Sequence, residues 1–337
     1  MSVVKSCDRL LPQPVPAVPA VSVVVPIYNG EGDLPDLVDC LLAQTYPAER
    51  LEYWLVDNGS GDRTSRLLQT AATRARDRGI QLRPLTYTAI QSSYAARNVG
   101  IHAAGGDVVV FTDVDCRPSP DWLTNLVHPF TDPAVGLVAG EIEALPSRHW
   151  LARYGDRQGT LCQHHTLSHP YLPYGQTANL AVRADIFRQV GLFRPQLTTG
   201  GDADLCWRIQ QATSWNLVAA PGAVVYHRHR QSLLALWRQW YRYGCSNRYL
   251  HELYGVSLTR SLTAREVGYR LLRWALKDLP RATVRLVQGQ GTAIELAIAP
   301  LDLWCAQART QGQQQAQLPE AARCIEYLEP GESPCAF

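Results

Sequence analysis

Apolar and polar positions alternate in blocks along the first 140 residues. Val21-Ser22-Val23-Val24-Val25-Pro26-Ile27 is a short apolar run rich in β-branched residues, which predicts a strand buried on both faces. The polar stretch Tyr28-Asn29-Gly30-Glu31-Gly32-Asp33 breaks it, and a helix is expected over residues 34–44. The unit then repeats. Residues 51–56 read as a strand, Asp57-Asn58-Gly59-Ser60-Gly61-Asp62 as a loop, and the segment through Leu67, Leu68 and Ala71 as a helix. A third strand at 80–87 and a helix at 92–104 precede a fourth strand at 108–111. A helix at 122–130 and a strand at 135–139 complete the series. Strands alternating with helices predict an α/β fold with a doubly wound, mostly parallel sheet.

The fourth strand ends abruptly in two carboxylates, Asp113-Val114-Asp115. Strand C-termini form the ligand crevice of such sheets, and side chains two apart on extended chain point the same way. Asp113 and Asp115 can therefore converge on one hard cation, or cap the turn before Pro118. Asp57 stands at the second strand's end, where a carboxylate can accept from a base NH or a ribose hydroxyl. Asp62 is better read as a helix N-cap. Arg97 is either an exposed helix arginine or a ligand for a diphosphate.

After residue 140 the rhythm changes. His149, His164, His165 and His169 fall in an irregular segment, 141–172, whose spacings fit no familiar ligand set. A long mobile loop over the acceptor side is expected there rather than a metal cluster. Residues 174–183 return to strand character, and a short helix ends at Gly191. In Gly200-Gly201-Asp202-Ala203-Asp204-Leu205, the glycines permit a sharp turn, while Leu205, Ile209 and Ala212 share one helical face. Asp202 at that helix start is a cap, or a general base fixed at a pocket mouth. A strand ending at His227 offers a further metal or phosphate ligand, or a loop imidazole.

Composition narrows the classes. The chain has 337 residues, 46% of them apolar, enough for one large domain or two modest ones. With 32 basic and 30 acidic residues it gives no reason to expect a nucleic-acid partner. Nine scattered cysteines without a Cys-x-x-Cys pair suggest a reducing compartment. No apolar run reaches the length of a membrane span and the start lacks a signal-peptide core, so a cytoplasmic protein is expected, with membrane association left open.

Six motifs in order, Val25-Pro26-Ile27-Tyr28-Asn29, Val56-Asp57-Asn58-Gly59-Ser60, Ala96-Arg97-Asn98-Val99-Gly100, Asp113-Val114-Asp115, Asn179 to Arg183 and Gly201 to Arg208, together resemble the family-two glycosyltransferases. The resemblance covers roughly residues 20–245. It implies the A-type glycosyltransferase fold, a nucleotide-diphosphate sugar donor, a glycan or lipid-linked acceptor and a divalent cation, Mn or Mg. By this similarity Pro26, Tyr28 and Asp57 line the nucleotide site, with Asn29 and Arg97 on the donor side. Asp113 meets the ribose or sugar, and Asp115 holds the metal, with His227 as a further ligand. Asp202 matches the aspartate of the family's Glu-Asp pair, the usual base, while Gly201 stands where the glutamate would be. Asn179, Asp204, Trp207 and Arg208 fall on the acceptor side. Gln239-Trp240-Tyr241-Arg242-Tyr243 only loosely resembles the Gln-x-x-Arg-Trp signature of processive members, which implies a non-processive enzyme, acting in polysaccharide or cell-surface glycan synthesis.

The expected organisation is a proline-rich leader at 1–20, a catalytic domain at 21–227 divided at 140, a basic amphipathic helical extension at 228–305 and a disordered tail at 306–337. The extension's helices either pack on the core with solvated arginines or give a peripheral contact with anionic lipid. Two other classes remain. A sugar nucleotidyltransferase would carry a basic glycine-rich loop after the first strand, where Tyr28-Asn29-Gly30-Glu31 has neither lysine nor arginine. A catalytically silent sugar- or nucleotide-binding protein would keep the pocket without its base, so Asp202 discriminates.

Overall fold

A computed structural model describes residues 18–328; the expected flexible leader falls largely outside them. The chain begins with β1 (Val21–Ile27), α1 (Leu34–Leu42), β2 (Leu51–Asp57), α2 (Thr64–Arg76), β3 (Gln81–Thr86) and α3 (Ser93–Ala103). It continues through β4 (Val108–Thr112), β5 (Cys116–Pro118), α4 (Trp122–Val127) and β6 (Val135–Ala144). Next come α5 (Trp150–Arg157), α6 (Gln163–Leu167), β7 (Asn179–Arg183), α7 (Ala184–Val190), α8 (Gly201–Ala212) and β8 (Asn216–His227). Four helices follow, α9 (Leu233–Tyr254), α10 (Ala264–Arg273), α11 (Leu279–Val287) and α12 (Ile298–Gln315).

The eight strands form one sheet in the order β3-β2-β1-β4-β7-β6-β8-β5. Pairings β1–β2, β1–β4, β2–β3 and β6–β8 are parallel, while β4–β7, β6–β7 and β5–β8 are antiparallel. Strand order reverses beside β1, between β2 and β4, which places a crevice at the strands' C-terminal edge.

Period-two side-chain alternation divides the core between the two sheet faces. Val21, Val23, Val25 and Ile27 join the layer under α1, while Val24 joins the opposite one. On α1, Leu34, Leu37, Val38 and Leu41 recur at helical spacing and are all buried, each contributing roughly 1.5–3 kcal/mol. In β4, Val108 and Val110 face one layer and Val109 and Phe111 the other. Asp113 has the parity of Phe111, which turns it toward α3 and Arg97.

Two expectations are corrected. Segment 141–172 is not one long loop: it holds α5 and α6. Its histidines serve local structure, His149 Nδ1 accepting from Leu151 N at the α5 start and His169 packing at 5.2 Å from Trp207. The glutamine-rich tail is also ordered through α12 and a 3-10 turn at Glu320–Arg323. Leu301, Cys305, Ala308 and Gly312 form a buried stripe on α12. At Gly312 the backbones touch, since a Cβ there would lie 2.0 Å from Tyr241 O on α9. Among the described residues no helix is long and apolar enough to cross a membrane.

Candidate active site

The loops after β1 and β2 form one wall of the crevice and are stitched together. Asn29 N donates to Ser60 Oγ at 2.8 Å, Gly61 N to Asn29 Oδ1 at 2.8 Å, and Gly30 N to Thr64 Oγ1 at 2.8 Å. Asn29 adopts φ 49°, a left-handed conformation that asparagine tolerates. Its side chain thus holds the loops together. Pro26 is buried in β1, and Tyr28 beyond it is 52% exposed. Asp57 is buried at the end of β2, with Oδ1 accepting from Ser60 N at 2.9 Å.

The β4 edge supplies the acidic floor. Arg97 Nη2 on α3 donates to Asp113 Oδ1 at 2.5 Å, and Arg97 is only 3% exposed, which rules out a solvated helix arginine. Desolvation pushes the Asp113 carboxyl above the usual range, with Arg97 pulling it down and both Asp115 and Asp202 pushing it further up. The three carboxylates therefore share one electrostatic neighbourhood. Asp115 behaves oppositely: burial opposes its charge, yet His227 and Arg230 hold it well below the ordinary carboxylate range. Asp115 Oδ2 lies 3.3 Å from His227 Nε2 and 3.3 Å from Arg230 Nη1.

Asp115 and His227 pass a simple test for a divalent cation. Adjacent ligands of an octahedral ion at its usual bond lengths stand about 3 Å apart, and a carboxylate oxygen suits Mn or Mg, whereas the imidazole nitrogen favours Mn over the harder Mg. The 3.3 Å separation of their donor atoms fits that spacing. Among the described residues no group of three or more His, Cys, Asp or Glu is arranged to hold an ion by itself. A diphosphate would have to complete the ligand set.

Across the crevice, Gly200 at φ 81° turns the chain into α8, and Asp202 falls in that helix's first turn. Thr177 fixes it, Oγ1 donating to Asp202 Oδ1 at 3.0 Å and N to Oδ2 at 3.3 Å. The residue before it has no room for a side chain: a Cβ on Gly201 would sit 2.7 to 2.9 Å from the Tyr94 ring. Tyr94 therefore fills the space that a neighbouring glutamate would need.

The other acceptor-side expectations are corrected. Asp204 is fully buried, accepting from Arg194 Nε at 2.8 Å, Arg208 Nε at 3.1 Å and Tyr254 Oη at 2.7 Å. Arg208 also donates to Val190 O and Leu192 O, and Trp207, fully buried, donates Nε1 to Leu172 O. Asn179 is buried too, accepting from Trp122 Nε1 and donating to Glu141 O and Ala223 O. These four hold the scaffold. Two positions 200° apart on a helix face opposite ways, so Asp202 reaches the crevice while Asp204 enters the core. Neither Arg230 nor Thr177 lies in a recognisable motif, so the sequence alone gives neither of them a place in the site.

Comparisons with known proteins identify the family and the fold. Residues 22–185 match the model of glycosyl transferase family 2, and residues 108–298 that of glycosyl transferase family group 2. Glycosyltransferase AglE of Haloferax volcanii is 33% identical over 213 residues, 63% of this chain and 68% of that protein. Undecaprenyl-phosphate 4-deoxy-4-formamido-L-arabinose transferase of Pseudomonas aeruginosa is 33% identical over 136 residues, 40% of this chain and 39% of that protein. Some curated relatives are matched over as little as 30% of their length. In fold, the chain is similar to the mannosyltransferase PcManGT from Pyrobaculum calidifontis in complex with GDP-Man and Mn2+, with a TM-score of 0.61, 19% identity and coverage of 88% and 86%.

Proposed function

The chain belongs to the family-two glycosyltransferases, and from that premise we propose a metal-dependent, inverting transfer of a sugar from a nucleotide-diphosphate donor to an acceptor hydroxyl. The observation that supports this reading is that β4 ends in Asp113 and Asp115 while Asp202 opens α8, with both Asp115 and Asp202 near enough to Asp113 to raise its pKa. The donor's nucleoside lies along Tyr28 and Asp57, and Asp113, held by Arg97, meets the ribose or sugar. Asp115 and His227 would hold a divalent cation, whose positive charge would favour departure of the diphosphate. Arg230 is more than a third exposed and can turn from Asp115 toward a phosphate oxygen. Asp202, oriented by Thr177, accepts the acceptor hydroxyl's proton as its oxygen attacks the anomeric carbon. One in-line displacement inverts that centre, and no covalent nucleophile is required.

A panel of nucleotide sugars, screened by thermal unfolding with and without Mn2+, tests the donor class. Stabilisation by at least one nucleotide-diphosphate sugar is expected, rising with ligand concentration and lost on chelation. A panel in which none stabilises, or one that acts equally without metal, would count against the reading.

The acceptor in this proposal is lipid-linked, in keeping with the lipid phosphate named for one relative. Helix α10 and the π turn at Trp274–Asp278 support a peripheral membrane contact. Tyr269, Leu272 and Leu276 recur along one face and are 67%, 59% and 72% exposed, with Arg265, Arg273 and Lys277 around them. Sedimentation with vesicles containing anionic lipid should retain the protein at low salt and release it at high salt. Replacing both Leu272 and Leu276 by Asp should abolish retention; equal retention of this variant would rule the face out.

A further inference from the structure

The turn that presents Asp115 is gripped by a buried arginine lying outside the six motifs. Arg117, in β5, is only 7% exposed. Its Nη1 donates to Val114 O at 3.1 Å and to Cys116 O at 2.8 Å, the carbonyls on either side of Asp115. Its Nη2 donates to Asp33 Oδ1 at 2.8 Å and to Asp36 Oδ2 at 3.1 Å, both at the start of α1. One guanidinium therefore joins the acidic turn to the helix that follows the first donor loop.

The rest of the turn is held as closely. Asp113 O accepts from Cys116 N at 3.1 Å and Asp115 O from Arg228 N at 3.0 Å, so every carbonyl from 113 to 116 has a donor. Cys116 pairs with His227 between β5 and β8, which sets the imidazole beside Asp115. Arg228 Nε also lies 3.0 Å from Asp33 Oδ1. The segments that carry Asp115 and His227 are thus tied to one carboxylate at the α1 N-terminus. Burying a guanidinium is costly unless its donors find partners and a counter-charge, and Arg117 has both. A lysine would keep the charge, but its single ammonium could not span two carbonyls and two carboxylates at once.

We infer that Arg117 is a positioning residue for the donor's metal, anchored on Asp33 and acting through the backbone that places Asp115 Oδ2 at 3.3 Å from His227 Nε2. The inference rests on the metal role proposed above for Asp115 and His227. Groups that orient a ligand without touching the ion typically change metal affinity by about 10–100-fold. The nucleoside wall does not depend on Arg117, because Asn29 with Ser60 and Gly30 with Thr64 close it from within. Loss of Arg117 should therefore weaken the metal's contribution to donor binding and spare the rest.

The test is calorimetric titration of the full chain with UDP or GDP, whichever the parent binds more tightly, once in excess Mn2+ and once in excess chelator. The readout is the ratio of the two affinities. Arg117→Lys, which keeps the charge and loses the fork, and Arg117→Met, which keeps only the apolar stem, should each reduce that ratio at least about tenfold while the affinity in chelator stays at the parent's value. Asp33→Asn should reduce it in the same direction by less, since Asp36 still holds Arg117. A structural role alone would lower the melting midpoint and leave the ratio unchanged. That result, in a folded Arg117→Lys variant, overturns the inference and leaves the metal reading intact. A parent that binds neither nucleotide, or binds equally with and without metal, removes the metal reading and the inference with it.

Discussion

Replacing Asp202 by Asn is expected to lower kcat by roughly 10²–10⁴-fold while leaving donor affinity unchanged. The carboxamide keeps an oxygen to accept the shorter bond from Thr177 Oγ1 and gives up the longer one from Thr177 N, so the side chain keeps its main tether while its capacity to take a proton is lost. Tyr94 occupies the space beside Gly201, so no second carboxylate stands at that position to substitute. Steady-state rates of sugar transfer, paired with nucleotide binding, check the outcome. A variant that transfers at the full rate would remove Asp202 as the base and leave a binding protein or another mechanism in its place.

The second large effect falls on stability, two residues further along the same helix. Asp204→Ala would leave the Arg194 and Arg208 guanidinium groups and the Tyr254 hydroxyl without their shared acceptor in a fully buried place. Breaking a buried ion network from one side typically costs about 3–5 kcal/mol. The melting midpoint should fall by roughly 4–7 °C for a chain of this size. Thermal unfolding followed by circular dichroism is sufficient. A midpoint within a degree or two of the parent would mean that Arg194 and Arg208 are satisfied by backbone carbonyls alone and that Asp204 is free for another task.

These two aspartates also show what the sequence made legible. Short apolar, β-branched runs were enough to identify β1, β2 and β4, and the acids ending the last two place Asp57, Asp113 and Asp115 at one edge, because strand alternation and sheet topology leave little choice. Sorting Asp202 from Asp204 required only the helical angle between them, which a reading by motif passes over. Asn179, Trp207 and Arg208 were drawn to the acceptor side by their place in motifs, yet hydrogen bonds to distant carbonyls fix them in the scaffold. No local pattern reveals such long-range partners. The tail was obscured for a different reason. Glutamines dominate its composition, but Leu301, Cys305, Ala308 and Gly312 recur at helical spacing, and the small residues let α12 lie against Gly244 of α9. Arg230 reaches Asp115 across 115 positions of chain, a contact visible only once β8 pairs with β5 and β6.

The central claim is a division of labour inside one crevice, with Asp115 serving the donor and Asp202 the acceptor. Calorimetric titration of a nucleoside diphosphate with Mn2+ into the parent chain, Asp115→Asn and Asp202→Asn tests it most directly. The parent and Asp202→Asn should bind equally, Asp115→Asn at least about tenfold more weakly, and chelation of the metal should bring the parent down to the same level. Equal, metal-independent binding by all three, or a loss at Asp202→Asn as large as that at Asp115→Asn, would contradict it.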